Sequence, residues 1–454
     1  MDSALIEKYN IPGPRYTSYP TVPYWDDQKF SLKKYKETLI YSFKESNQEQ
    51  GISLYIHLPF CESLCTFCGC NKRITKNHGV EIPYIESVLK EWKLYLDLLD
   101  EKPIIKELHL GGGTPTFFSA ENLELLLNGI FRYAVKAENA EFSFEGHPNN
   151  TNRQHLATLS SFGFKRLSYG VQDYNEKVQK AIHRIQSFEQ VKNATISARE
   201  LGYESVGHDI IFGLPFQEEM HIVETLSKTI ELMPDRIAFY SYAHVPWIKG
   251  NGQRGFKDED LPGPAEKRRQ YETGKKMLLR AGYVEIGMDH FALPSDSLSK
   301  SVENKSIHRN FMGYTSSKTQ VMIGLGVSAI GDSWYGFGQN VKGVEEYQNL
   351  LKNDILPIFK GHILTEEDLK IREHILNIMC QLKTSLPKDE MNSEAYKKMR
   401  SGLHEMEADD LVMWKDNELL VTEKGRAFCR NIAMAFDLRL QRNKPEQRLF
   451  SMTI

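Results

Sequence analysis

The sequence predicts an α/β protein: a partial barrel of six parallel strands in the TIM-like (βα)6 pattern, with an N-terminal arm and a mainly helical C-terminal domain. Three observations carry this. Short apolar runs alternate with longer segments of helical spacing about six times. Residues with chemistry to offer recur where those runs end, as they do at the carboxyl face of a barrel. Beyond about residue 360 the alternation gives way to helical periodicity.

The strand candidates, in order, are ISLYIHL (52–58), IKELHL (105–110), EFSFEG (141–146), KRLSYGV (165–171), SVGHDIIFG (205–213) and RIAFYSYA (236–243). Segments such as IPYIESVLKEWKLYLDLL, ENLELLLNGIFRYAV and HIVETLSKTIELM lie between them and space their apolar residues as helices do. Residues 1–48 contain the proline-rich GPRYTSYPTVP and read as an irregular arm, 49–360 as the barrel, and 361–454 as helices with a strand pair around ELLVT. GLGVSAIGD (324–332) lacks the G-x-G-x-x-G spacing of a dinucleotide fingerprint and reads as a close-packed loop.

The chain has 454 residues, 41% hydrophobic and 26% charged, with a net charge of −3. That suits a soluble globular protein and argues against nucleic acid or an anionic membrane as partner. The N-terminal MDSALIEKYN does not resemble a signal peptide, and no run nears the ~20 apolar residues of a membrane span. A cytoplasmic monomer is the expectation.

Four of the six cysteines fall within ten positions, in YIHLPFCESLCTFCGC (55–70). Cys61, Cys65 and Cys68 have the spacing C-x3-C-x2-C, suited to three corners of a 4Fe–4S cluster. The fourth iron is then open to the amino and carboxylate groups of S-adenosylmethionine. Two other readings stand beside this one: a zinc site of all four thiols, and a structural iron–sulfur centre with Cys70 as fourth ligand. The glycine loop GGGTPT (111–116) lets backbone amides approach a ligand closely. Glu145 ends a strand, where its carboxylate can accept hydrogen bonds from ribose hydroxyls. His57 precedes Cys61 by four residues on the first strand.

These motifs, with LSYGVQD, DIIFGLP, GPRYTSYPT, GMDHFALP (287–294), HRNFMGYT (308–315), GVSAIGD and VTEKGRAFCRNIAMAFD, resemble the radical S-adenosylmethionine superfamily, and within it the oxygen-independent coproporphyrinogen III oxidases, nearly end to end. The related haem chaperone branch is the alternative. It typically lacks the PRYTSYPT arm and the fourth cysteine, both present here. EGHP (145–148) departs from the EVDP common in the family, and His147 reads as a solvated loop histidine.

The resemblance implies conversion of two of the four propionates of coproporphyrinogen III to vinyl groups, giving protoporphyrinogen IX. A 5′-deoxyadenosyl radical takes a hydrogen atom that no ordinary base could remove. It implies a 4Fe–4S cluster, two molecules of S-adenosylmethionine and a reducing donor such as flavodoxin or ferredoxin. By motif, Tyr55, Gly112, Glu145 and Ile330 are expected at the first S-adenosylmethionine. Phe67, Gly113, Thr114, Gln172, Arg184, Asp209 and Ala243 are expected at the second, with Cys70 in its pocket. Arg15 and Arg309, with the basic run Lys72, Arg73 and Lys76, are candidates for meeting the propionates, and the arm with Arg15 and Tyr16 is a candidate to fold over the cavity and exclude water. His57, His290 and His308 are candidates for polar roles in catalysis.

Overall fold

The computed structural model of the protein describes residues 3–26, 28–247, 252–253, 255–386, 394–445, 447 and 449–453. The six expected runs are strands: β1 (Ile52–Leu58), β2 (Ile104–Gly112), β3 (Val135–Gly146), β4 (Phe164–Gln172), β5 (Ser205–Phe212) and β6 (Arg236–Ser241). They pair side by side, in parallel and in sequence order. Parallel neighbours need a crossover, and amphipathic helices such as Glu81–Leu96, Ala120–Phe131 and Glu219–Leu232 supply it.

Register decides which residues reach the site. Leu54 lies opposite Leu108 and Leu108 opposite Phe142, and all three are buried in the core beneath the helices. The neighbouring positions turn the other way. Ser53, Glu107 and Glu141 form one cross-strand row, and Tyr55, His109 and Ser143 the next. One face of the sheet is therefore greasy and the other polar. At its lower end the polar face is closed by paired charges: Arg166 lies 3.0 Å from Glu141, and Arg236 lies 2.7 Å from Asp296.

The sheet continues at both edges to twelve strands. Beyond β6 come β7 (Val284–Gly287) and β8 (His290–Ala292), antiparallel, with β8 the direct partner of β6. A separate hairpin joins β9 (His308–Asn310) to β10 (Gly313–Thr315). At the far side β11 (Val321–Leu325) runs parallel to β1, followed by antiparallel β12 (Ile330–Asp332), β13 (Gly336–Asn340) and β14 (Ile358–Ile363).

Four expectations change. GLGVSAIGD is not a loop: it spans the end of β11, a turn and β12, which approach so closely that a Cβ on Gly324 would lie 2.5 Å from the Ile330 carbonyl. The first 48 residues are only partly an arm. Leu32–Gln50 is a helix, capped by Ser31, that buries Tyr35, Leu39 and Phe43. The strand β14 carries the main sheet past residue 360. In the C-terminal region a third strand, Lys383–Ser385, joins the pair Val412–Lys415 and Glu418–Val421. That region has its own core of Ile371, Ile375, Leu403, Leu419 and Phe436, which takes in Tyr16 and Tyr19 from the arm.

Candidate active site

At the carboxyl ends of β1–β6 the polar face opens into a cavity of about 320 Å³. Cys61, Cys65, Cys68 and Cys70 line it together with Phe67, Gly112, Gly113, Thr114, Glu145, Gln172, Arg184 and Asp209. These are twelve of the residues the sequence nominates, and they come from separate strand ends.

The cysteine loop is held by its backbone. Phe60–Cys61 pairs with Arg73–Ile74, and the Cys68 N–H donates to the Cys65 carbonyl at 3.2 Å. Lys72 Nζ donates to the carbonyls of Cys68 (2.9 Å) and Cys70 (3.3 Å), so this lysine fastens the loop, while Arg73 pairs with Glu345 on the surface. Burial pushes the Cys61 thiol up to about 11, against a hydrogen bond from the Thr114 hydroxyl at 3.4 Å. A hydrogen bond from the Cys70 thiol stabilises the Cys68 thiolate and draws its pKa down to about 6. Partly buried thiols at the C-x3-C-x2-C spacing, lining one cavity, fit the three protein ligands of a 4Fe–4S cluster.

The glycine loop is shaped by what lies behind it. Gly112 has φ +111°, and a Cβ there would meet the His57 ring at 2.6 Å. A Cβ on Gly113 would lie 2.6 Å from the Pro59 carbonyl. The Gly113 N–H bonds the Leu58 carbonyl and the Thr114 N–H the Phe60 carbonyl, at 2.8 and 2.9 Å, so the loop is laid against the chain entering the cysteines.

Glu145 Oε2 accepts from the Gly112 N–H at 3.2 Å, and Oε1 faces His109 Nε2 at 3.5 Å. Burial works against its ionised form, but His109 and Gly112 outweigh burial and hold the pKa below the ordinary carboxylate value. Asp209 receives the Ser168 hydroxyl at 2.6 Å, and burial raises its pKa to about 7. His109 was not singled out in the sequence. The alternation of IKELHL against EFSFEG could have found it, because it places His109 beside Ser143 on the polar face.

His57 has both ring nitrogens engaged, Nδ1 with the Tyr55 hydroxyl at 3.1 Å and Nε2 with the Asn71 carbonyl at 2.8 Å. It braces the stretch after the cysteines, and burial lowers its pKa. Tyr55 stacks on His109. Ile330 and Ala243 stand outside the cavity wall, Ile330 on β12 and Ala243 just past β6, its carbonyl accepting from Gln253 at 2.8 Å. His147, in the loop just past β3, is half-buried and lines the cavity beside Gly146 and Asn150.

A second cavity of about 130 Å³ lies deeper and shares Glu145, Ser168, Asp209 and Tyr240 with the first. His290 lines it, its Nδ1 2.9 Å from Asp289 Oδ1, and the other Asp289 oxygen pairs with Arg15 at 2.9 Å. Arg309 is buried on β9 over the Tyr314 ring. One of its nitrogens donates to the Arg15 carbonyl at 3.2 Å, while Nε and Nη1 have no partner. Tyr16 and His308 are elsewhere. Tyr16 donates to Asp437 at 3.0 Å inside the C-terminal core, and His308 is buried on β9 with its pKa lowered to about 3.

A parallel six-stranded sheet with a three-cysteine loop after its first strand defines a class, and the sequence profile of the Radical SAM superfamily matches residues 55–229. The chain is 37% identical to the oxygen-independent coproporphyrinogen III oxidase of Synechocystis, over 99% of this chain and 97% of that protein. It is 35% identical to the protein of that name from Escherichia coli K12, over 100% and 98%. The solved structure of the Escherichia coli coproporphyrinogen III oxidase HemN, described as a radical SAM enzyme, superposes with a TM-score of 0.88 at 34% identity, covering 96% of this chain and 98% of that one. The chain belongs to the oxygen-independent coproporphyrinogen III oxidase family. Among the described residues no helix is long and apolar enough to cross a membrane.

Proposed function

We infer that the protein is a radical S-adenosylmethionine enzyme that decarboxylates two propionates of coproporphyrinogen III to vinyl groups, forming protoporphyrinogen IX in haem biosynthesis. The observation that carries this is the convergence of Cys61, Cys65 and Cys68 with the glycine loop, Glu145 and Asp209 on one cavity, in a chain related to coproporphyrinogen III oxidases over its whole length.

The 4Fe–4S cluster and S-adenosylmethionine, when bound, supply homolytic chemistry strong enough to take a hydrogen atom from an unactivated carbon. The chain's residues bind and shield. Cys61, Cys65 and Cys68 would hold the cluster, and the backbone exposed at Gly112 and Gly113 would receive the amino-acid end of the cosubstrate. Glu145, kept ionised, is an acceptor for ribose hydroxyls, and Asp209 offers a second one. Gln172, Arg184 and Asp209 also line the cavity, and we place a second molecule of S-adenosylmethionine there.

The propionates need cations. Arg309 keeps two unpartnered nitrogens in a buried setting, and Arg15, on the arm, is tied to Asp289. Together they are our candidates, with His290 facing the deeper cavity. We place the protein in the cytoplasm, with a low-potential donor such as flavodoxin or ferredoxin as the source of electrons. Anaerobic incubation with coproporphyrinogen III, S-adenosylmethionine and a reductant, followed by chromatography, tests the reading. Protoporphyrinogen IX is the expected product, and unchanged substrate with a fully loaded cluster contradicts the assignment.

A further inference from the structure

Along β3, Ser143 and Glu145 face the polar side of the sheet, and His147, next in that alternation, lies just past the strand end. A tight turn fixes it there. The His147 carbonyl accepts from the N–H groups of Asn150 and Thr151, both at 2.9 Å. Its Nδ1 accepts from the Asn149 N–H at 3.1 Å. The Asn149 side chain donates to the Ile185 carbonyl at 3.1 Å, which fastens this turn to the segment that carries Arg184.

The ring's protonation follows. Nδ1 is an acceptor, and burial beside the Arg184 cation lowers the pKa to about 3, so the imidazole is neutral and its proton sits on Nε2. That N–H has no protein acceptor among the described residues. Arg184 lines the same cavity. Its Nη2 donates to the Gly170 carbonyl at 2.7 Å and its Nε to Gln186 at 3.2 Å, while Nη1 meets only the Cys65 sulfur at 3.7 Å. Among the described residues it has no carboxylate partner. A cation without a carboxylate partner and a neutral donor without an acceptor thus face the cavity, whereas its own carboxylates are engaged elsewhere: Glu145 by Gly112, Asp209 by Ser168, and Glu62 by His78 at 3.6 Å.

We propose that His147 is a carboxylate-binding residue of this cavity, its Nε2–H donating to one oxygen of a carboxylate whose charge is met by Arg184. The proposal rests on the reading above, which brings two carboxylic acids to the cavity: the amino-acid end of S-adenosylmethionine and the propionates of the tetrapyrrole.

Two variants separate binding from folding. His147→Asn keeps an acceptor near the Nδ1 position, and so keeps the turn, but removes the outward N–H. His147→Gln returns an amide donor near the Nε2 position. The reconstituted enzyme is titrated anaerobically with S-adenosylmethionine and with its decarboxylated analogue, and by fluorescence with coproporphyrin III and its tetramethyl ester. His147→Asn is expected to weaken one carboxylate-bearing probe roughly tenfold or more, with His147→Gln within about threefold of wild type. The carboxylate-free counterpart is expected to bind all variants alike. The probe that responds names the source of the carboxylate.

The proposal is overturned if neither acid responds, if the carboxylate-free probes weaken equally, if Asn preserves affinity and Gln does not, or if iron content falls in step with affinity. A wild-type enzyme that binds neither acid removes the underlying reading as well. Binding by wild type that no variant alters removes this proposal alone.

Discussion

Replacing Gly113 with alanine tests whether the glycine loop shapes the cysteine loop. A Cβ there would lie 2.6 Å from both the carbon and the oxygen of the Pro59 carbonyl and 2.8 Å from the Phe60 oxygen. All three are main-chain atoms one or two residues before Cys61, so no side chain can swing aside. The added methyl must push the strand end and the Cys61 sulfur, which Thr114 contacts, away from their positions. Overpacking of this kind costs about 1–3 kcal/mol, offset by up to about 1 kcal/mol that alanine contributes through a stiffer unfolded chain. Gly69→Ala is the matched control: it lies in the same loop, and its Cβ would have nothing within 4 Å. Urea unfolding under anaerobic conditions, with iron per chain after reconstitution, reads both. We expect Gly113→Ala to be less stable and iron-poor, and Gly69→Ala to match wild type. Equal stability and iron content in the two variants would refute the steric argument.

Other outcomes follow from buried polar groups. Burial raises the Glu107 pKa from 4.5 to about 7, and its partners Ser53, Thr315 and Ser317 are hydroxyls that can accept as well as donate. The folded state therefore keeps a proton that the unfolded state releases, so stability declines as pH rises from about 4.5 to 7 and levels off above, by about 3 kcal/mol in all. Glu107→Gln is expected to flatten that slope in unfolding titrations, and an unchanged slope would contradict the assignment. Tyr16→Phe leaves buried Asp437 without its hydroxyl donor and is expected to cost about 1–3 kcal/mol in unfolding experiments with iron content unchanged. Glu145→Gln keeps the side-chain shape but loses the charge, and calorimetry is expected to show weaker S-adenosylmethionine binding by roughly tenfold.

The strands were legible because each is a compact apolar run punctuated by turn residues, and parallel pairing in chain order follows from the helices between them. Cys61, Cys65 and Cys68 were legible because their spacing is local. What the sequence hid depends on distance along the chain. Nothing near residue 52 indicates that β11 pairs with β1 from more than 260 positions away. The glycines of GLGVSAIGD therefore looked like a loop, when they allow two strands to touch. The Lys72 bonds to the Cys68 and Cys70 carbonyls use main-chain acceptors, which leave no trace in side-chain spacing. Tyr16 and Arg15 are adjacent, yet one enters the C-terminal core and the other reaches Asp289. A positive φ of 47° at Tyr16 sends them apart, and no motif encodes it. That the turn carrying His147 is fastened to Ile185 and borders the cavity is visible only in the fold.

The central claim is that the three thiols of one loop hold a cluster with an iron open to S-adenosylmethionine. Counting methionine released during anaerobic turnover, in wild type and in Cys65→Ala, tests it most directly. The account predicts methionine appearing together with protoporphyrinogen IX in wild type, and neither in the variant, which also loses its iron chromophore. Protoporphyrinogen IX formed without methionine, or turnover surviving in Cys65→Ala, would contradict it.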